Sequence, residues 1–310
     1  MPPPSRTLAP RTLAYIAWII VCIVWGTTYL AIRIALESVP PALVGGLRFT
    51  AAGLILFVAL LLMGQPLPPA RAWRSSALAG FLLLIIGNGA VVWAEQYVAS
   101  GLAAVLVAMV PFWNVLVEAV YPGGERPTLR ALCGLAIGFT GIVVLVWPQL
   151  FTGSGGTWFI AGVVALQVAC AGWALGTSYT KRSTSSASPA ATSALQMLVA
   201  GVMFLAIATS TGEWSRLAIT VRSASAILYL VIFGSIVAFS AYVYALKHLP
   251  IATVSLYSYV NPLIAVVLGT LLLSEPFSSR MLVASALVLA GVWVVRSAAA
   301  PARGSRQEAA

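Results

Sequence analysis

Two stretches decide how this chain is read: Val105-Leu106-Val107-Ala108-Met109-Val110-Pro111 and Ser255-Leu256-Tyr257-Ser258-Tyr259-Val260-Asn261-Pro262. Each places a proline near the middle of an apolar run long enough to cross a bilayer. A proline there removes a backbone donor, and hydrocarbon tolerates the freed carbonyl only where protein or a water-filled cavity satisfies it. Working outward, each proline is followed by a glutamate (Glu125, Glu275) and then by a glycine in the next apolar run. Gly141 lies 30 residues beyond Pro111 and Gly291 lies 29 beyond Pro262. One unit is written twice, with a helix breaker at membrane depth in both copies, and duplicated interrupted helices point to a substrate site in a transporter.

Composition agrees on the class. Of 310 residues 61% are hydrophobic and 8% charged, with a mean hydropathy of +0.99. A soluble domain carries about 25% charge, so this is a membrane protein. The net charge of +10 comes from basic residues scattered singly between apolar runs rather than gathered in a patch, which excludes a nucleic-acid partner. Cys22, Cys133 and Cys170 all fall inside apolar runs and form neither a disulfide framework nor a metal pattern.

Ten runs read as spans, over residues 14–36, 42–63, 77–98, 102–121, 130–148, 157–180, 190–211, 224–247, 252–273 and 280–297. Each is close to the roughly 20 residues that cross the hydrocarbon core. The first is kept as a helix rather than a cleaved signal, since nine more spans and short loops follow it. With the N-terminus inside, 12 Lys and Arg lie on the inner side and five (Arg33, Arg48, Arg216, Arg222, Arg280) in the outer half. The bias places both termini in the cytoplasm. Five spans per copy is an odd number, so the second copy enters from the opposite face. The expected fold is an all-α membrane protein of ten transmembrane helices, as two inverted five-helix repeats around a central cavity. The expected division is an N-terminal tail (1–13), a first repeat (14–148), an external linker (149–156), a second repeat (157–297) and a C-terminal tail (298–310).

Further matches support the duplication. Trp25-Gly26-Thr27-Thr28-Tyr29 matches Trp173-Ala174-Leu175-Gly176-Thr177-Ser178-Tyr179 with two extra residues after the tryptophan, Leu47 and Gly53 match Leu195 and Gly201, and Gly87 matches Gly234. Small residues of this kind let helix backbones approach closely in a membrane.

Together with Pro40-Pro41, Leu47-Arg48-Phe49, Glu125-Arg126, Gly134 and Glu275-Pro276, these motifs give the chain a resemblance to a known family. From about residue 14 to 297 it resembles the EamA family of the drug/metabolite transporter superfamily, in its ten-helix duplicated form. The resemblance implies export of amino acids or other small metabolites by alternating access, from a cavity lined mainly by spans 1, 3, 4, 6, 8 and 9. The aromatic-amino-acid exporters are one branch. One departure is visible: Gln196 stands where the first repeat has Arg48, so a role for Arg48 has no mirrored counterpart.

The charge inventory excludes much chemistry. The chain has no Asp, one His (His248) and seven Glu. Metal centres, carboxylate-pair hydrolases and aspartyl proteases cannot be assembled from these residues. The chain is therefore not expected to be an enzyme. It has no Walker sequence, so ATP is not the direct energy source, and no cofactor motif. Arg33, Arg48 and Glu95 fall in the outward third of their spans. They stand either as snorkelling or paired interfacial charges or as an outer gate and proton-coupling group. Glu118 reads as snorkelling, and Glu125 and Glu275 as capping carboxylates near a helix start.

Aromatic and amide residues make the better substrate-binding candidates. Trp73, Trp147, Trp158, Trp214 and Trp293 lie near span ends and read as the interfacial belt. Trp25, Trp113 and Trp173 lie deeper, where an indole N–H needs a partner or a cavity. Trp113 and Asn114 follow Pro111, Tyr257, Tyr259 and Asn261 precede Pro262, and Asn88, Trp93 and Gln96 mark span three. With Tyr242 these form the candidate set, and Pro111 and Pro262 are the candidate hinges, freeing the carbonyls of Val107 and Ser258. Flat apolar walls with a few amides suit a small amphiphilic metabolite. The expected protein is a secondary-active or facilitative exporter of amino acids or related metabolites in the inner membrane. Its partners are a small-molecule substrate and lipid, and its working unit is a monomer. A drug, nucleotide-sugar or vitamin carrier on the same fold, and a membrane scaffold or receptor, are the alternatives.

Overall fold

The computed structural model describes residues 10–66, 69–121, 128–152, 156–183, 188–275 and 277–299, and every regular element among them is helical. Ten spans follow in order. They are α1 (Pro10–Ala35), α2 (Pro41–Leu62), α3 in three joined pieces (Ala70–Gly80, Phe81–Asn88, Gly89–Ala94), α4 in two (Ser100–Val107, Val110–Val120) and α5 (Leu129–Thr152). The second five are α6 (Gly156–Arg182), α7 (Pro189–Ser210), α8 in three pieces (Val221–Tyr229, Leu230–Val237, Ala238–His248), α9 in two (Ile251–Val254, Tyr257–Leu273) and α10 (Ser279–Ala299). Seven spans are long and apolar enough to cross a membrane by length and composition; α5, α9 and α10 supply shorter apolar stretches. The face on which α1 begins is called the N face below, and the opposite one the distal face.

The turn chemistry repeats between copies. Pro41 and Pro189 each stand at the start of a helix, where a missing N–H removes no intrahelical bond. Gly64 and Gly212 end those same helices at φ +62° and +68°. These pairs share one spacing, 148 positions (41 to 189, 64 to 212), as do Trp25 and Trp173. Thr220 and Ser223 form a capping box at the start of α8. α3 begins at residue 70 rather than the expected 77, because its first turns carry Arg71, Trp73 and Arg74 and so hide from a hydropathy reading.

Inversion is visible in the packing. α2 lies against its own duplicate, α7, with Gly46 at Leu205 and Gly53 at Leu198, so the contacting residues rise along one helix as they fall along the other. α5 and α10 do the same, Gly141 facing Ala284 and Gly291 facing Gly134. A Cβ at Gly53 would stand 2.8 Å from the Leu198 nitrogen, and one at Gly291 2.6 Å from the Gly134 carbonyl oxygen, so these crossings depend on glycine. The other contacts come in mirrored sets, α1 on α8 and α9 and α6 on α3 and α4. One apolar cluster runs through α1, α2, α7 and α8, and another through α3, α4, α6 and α10; Trp173 packs on both. Trp73, Trp147, Trp158, Trp214 and Trp293 all sit exposed on the outside of the bundle.

The helix breaks fall near the two prolines but not at them. α4 is interrupted at Ala108–Met109, and Pro111 takes the second position of the segment that follows. The Val107 carbonyl that this proline frees receives the Cys170 thiol of α6 at 3.8 Å. α9 is interrupted at Ser255–Leu256, where the Ser258 N–H and hydroxyl both donate to the Ser255 carbonyl, at 3.1 and 2.7 Å. Pro262 lies inside the continuous segment.

Candidate functional site

A cavity of about 60 Å³ lies between α1, α2, α3, α4, α6, α8 and α9. Its walls include Trp25, Arg48, Asn88, Trp173, Tyr257 and Asn261 from the sequence candidates, together with Tyr29, Phe49, Gly87 and Gly234. Two π-helical segments, Phe81–Asn88 of α3 and Leu230–Val237 of α8, flank it as a mirrored pair. The wider turn shifts the register of each helix, a device common at functional sites. It brings Gly87 against Trp173, where a Cβ would come within 2.9 Å of the indole, and Gly234 within 3.0 Å of Thr28. The Trp25 indole N–H donates to the Gly234 carbonyl at 3.2 Å.

Towards the N face the cavity rests on four rings. Trp25 stands 5.2 Å from Trp173, 5.1 Å from Tyr242 and 5.1 Å from Tyr257. The Tyr242 hydroxyl shares a 2.6 Å hydrogen bond with that of Thr177. Such edge and tilted contacts hold flat walls rigid at little entropic cost. On the distal side the wall is cationic. The Arg48 guanidinium is 3% exposed, donates to the Ser235 hydroxyl at 2.7 Å and to the Asn88 carbonyl oxygen at 3.4 Å, and lies over the Phe49 ring. It belongs to neither of the two ion pairs among the described residues. Aromatic walls with a single guanidinium and two amides fit a small amphiphile with a polar or anionic head.

The other sequence candidates lie outside this lining. Trp93 packs on Tyr97 and Trp158 at the distal end of α3, and the Gln96 amide donates to the Trp93 carbonyl. Trp113 donates to Gln167 at 3.1 Å, and the Asn114 amide N–H to Ser255 at 2.8 Å, joining α4 to α6 and α9; the Asn114 amide oxygen is buried with no hydrogen-bond partner among the described residues. Tyr242 stands behind Trp25, and Tyr259 packs in the second apolar cluster. By volume, about 60 Å³ holds roughly four waters at about 15 Å³ of probe volume each. This conformer is therefore contracted, and an amino-acid-sized solute fits only when spans move apart. A second cavity, of about 210 Å³, opens towards the N face between α3, α6, α7 and α8, walled by Ser75, Ser76, Thr180, Lys181, Thr192 and Gln196.

Each face carries one of a pair of matched clasps that the sequence did not reveal. Arg33 and Lys181 are equivalent at the uniform spacing of 148 positions, each eight positions after the cavity-lining tryptophan of its copy, so the two extra residues of the sequence match are not needed. Arg33 donates to the main-chain carbonyl of Glu95, which ends α3 on the distal face. Lys181 donates to the carbonyls of Leu246 and Leu249, at 2.6 and 2.9 Å, where α8 ends on the N face. Each cation grips the exposed carbonyls of a helix C-terminus, the negative end of its dipole. Further ties differ by face. On the N face Glu118 accepts from Ser178 at 2.7 Å and pairs with Arg182 at 2.5 Å, joining α4 to α6 rather than snorkelling. On the distal face Glu37 pairs with Arg222 at 2.8 Å and Ser38 donates to Ser223.

Two carboxylates cap helices remote in sequence. Glu275 accepts from the Ser100 and Gly101 amides at 2.8 and 3.1 Å, so it caps α4 and not the α10 that follows it. Glu213 accepts from the Leu43 amide at 3.0 Å and caps α2. Glu125 and Arg126 lie outside the described residues. Among the described residues no three His, Cys, Asp or Glu gather as a metal site.

Ten spans in two antiparallel copies, with a central cavity between two matched clasps, define a duplicated membrane carrier. Residues 12–147 and 160–297 each match the EamA-like transporter family. The chain is 38% identical over 274 residues to "Uncharacterized inner membrane transporter YedA" of Escherichia coli K12, a match that spans 88% of this chain and 87% of that protein. It is 27% identical over 282 residues to the "Probable terminal-alkyne amino-acid exporter" of Streptantibioticus cattleyicolor, covering 90% and 92%. A solved chain titled "Crystal structure of protein" shares the fold with a TM-score of 0.67 at 22% identity, over 91% of this chain and 96% of that one. The chain belongs to the EamA-like transporter family, and it is a transporter rather than an enzyme.

Proposed function

We propose that this protein is a secondary-active or facilitative exporter of amino acids or closely related small metabolites, working by alternating access in the inner membrane. The observation that carries the reading is the central cavity. Trp25, Trp173 and Tyr257 form its walls, Asn88 and Asn261 offer amides, and Arg48 is its buried cation. A guanidinium reads a carboxylate as a planar, two-pronged acceptor, and the aromatic walls take an apolar side chain. The amino-acid exporter among the relatives is consistent with this choice of substrate.

Residues 14–148 and 157–297 act as the two repeats, the N face is cytoplasmic with both termini there, and the monomer is the working unit. Pro111, beside the break in α4, and Pro262, in the segment that follows the break in α9, are the hinges. Trp93, Gln96, Trp113, Asn114, Tyr242 and Tyr259 serve the closed conformer and its transitions, while Arg33, Arg48 and Glu95 form the distal gate. The larger cavity at the N face is the cytoplasmic mouth.

The test is counterflow in proteoliposomes against a panel of amino acids and nucleosides. Amino-acid exchange, lost in Arg48→Ala, supports the reading; exchange of nucleosides alone overturns it. For orientation, a reporter fused after Arg296 stays cytoplasmic, and an external reporter there refutes the topology.

A further inference from the structure

Among the five described glutamates, one stands apart. Glu37 and Glu118 are in ion pairs, and Glu213 and Glu275 cap helices. Glu95 is fully buried, and neither of its carboxylate oxygens has a hydrogen-bond partner among the described residues. Arg33 lies beside it but donates to its main-chain carbonyl, leaving the carboxyl group itself unserved. The charged and titratable groups that face it are Tyr29 and Arg33 from α1, Arg48 from α2 and Glu275 from the loop after α9. The oxygens of Glu275 are already occupied by two amides. α6 meets this end of α3 through Gly162, and its residues 156–169 contain no titratable side chain.

A carboxylate stripped of water and left unpaired is far less stable than the protonated acid in the same place. Glu95 is therefore the neutral acid while the distal clasp is closed. It can ionise only if water reaches it, or if the Arg33 guanidinium leaves the main-chain carbonyl for the side chain. Entry of water, the first of these, requires the distal ends of α1 and α3 to separate, because the carboxyl group is fully buried between them.

We propose that Glu95 is the proton-binding site of this transporter, taking up one proton from the external solution each time the distal clasp closes. This inference rests on the transport reading and on the distal face being external. The step is R–COO⁻ + H⁺ → R–COOH, with the proton drawn from external water and Arg33 returning to the Glu95 carbonyl. Opening reverses it. The closed conformer holds one more proton than the open one, so external acid favours closure and external alkali favours opening. The N-face clasp grips the carbonyls of Leu246 and Leu249 and has no buried, unpartnered carboxyl group beside it among the described residues. The chain contains no Asp to take over this role.

The experiment uses the full chain in liposomes. Infrared difference spectra on a pH ramp are expected to show a buried protonated carboxyl at neutral pH in the parent protein, and its loss in Glu95→Gln. In parallel, a single reporter cysteine (Ala169→Cys, with Cys22, Cys133 and Cys170 replaced) is labelled by an impermeant maleimide from outside. Labelling, corrected for the reagent's own pH dependence, should rise up to tenfold per pH unit in the parent and be flat in Glu95→Gln. If the parent lacks the protonated band, or the band survives in Glu95→Gln, the proton site is refuted without reference to folding of the variant. The same holds if the two proteins label with one pH profile. If both readouts behave as expected while no amino acid exchanges, the amino-acid reading fails and the proton site stands.

Discussion

Arg33 and Lys181 are the same residue of the repeat, each eight positions past a cavity-lining tryptophan and each gripping the carbonyls that end a neighbouring span. Their surroundings differ. Lys181 holds two carbonyls and is backed by the Glu118–Arg182 pair, by Thr177 with Tyr242 and by Asn114 with Ser255. Arg33 holds one carbonyl, is backed by a half-exposed ion pair and a serine contact, and sits beside a buried carboxyl group. A duplicated fold thus carries one closing device at both ends and makes it unequal by what it places around the cation. The N face is tied more heavily, and the distal face is the one with a buried, unpartnered carboxyl group beside its clasp.

That inequality can be tested with the cysteine reporter in the cavity, read from each side. Lys181→Met should have the largest effect. Two charge-assisted bonds, discounted for partial exposure to water, amount to roughly 2 kcal/mol. Labelling from the N face should rise about thirtyfold, and an unchanged rate would remove Lys181 from the gate. Arg33→Met loses one such bond, roughly 1.5 kcal/mol, and should raise labelling from the distal face about tenfold. If it opened the N face instead, the clasps would not be mirrored.

Smaller changes sharpen the contrast. Asn114→Ala breaks the tie to Ser255, worth roughly 1 kcal/mol for a neutral hydrogen bond, and should favour N-face opening about fivefold. The same variant should leave distal labelling unchanged. Glu37→Gln removes a half-exposed pair, worth at most about 0.5 kcal/mol. Less than about twofold change is expected on either side, and a larger one would show that the distal face relies on its surface pair more than on Arg33.

How far the sequence carried the reading depends on the residue. Trp25 and Trp173 were legible because a mid-span tryptophan repeated in both copies marks both the duplication and a place that is not lipid. Arg48 stood out as a cation inside a span, but it was read as an interfacial or gate charge, and its place in the cavity wall came from the structure. Trp113 and Asn114 were drawn into the candidate set by standing next to Pro111, yet the short helix that begins at Val110 turns them towards Gln167 and Ser255. The π-helical segments left no mark beyond Gly87 and Gly234, since nothing in a run such as Phe81-Leu82-Leu83-Leu84-Ile85-Ile86 says how many residues make its turn. Glu275 was read as a helix cap, but its helix lies 175 positions back, at Ser100.

The sequence by itself determined the class, the ten spans, the duplication and, through an odd number of spans per copy, the inversion. These follow from hydrophobic length and repeated spacing, which are local properties of the chain. Only the tertiary structure decided which residues meet the cavity, which helix each carboxylate caps, and that Arg33 and Lys181 clasp the two faces. In a membrane both the inner and outer faces of a helix are apolar, so periodicity does not say which side looks inward. Main-chain carbonyls, the targets of both clasps, are the same at every position, and no sequence distinguishes the ones that are gripped.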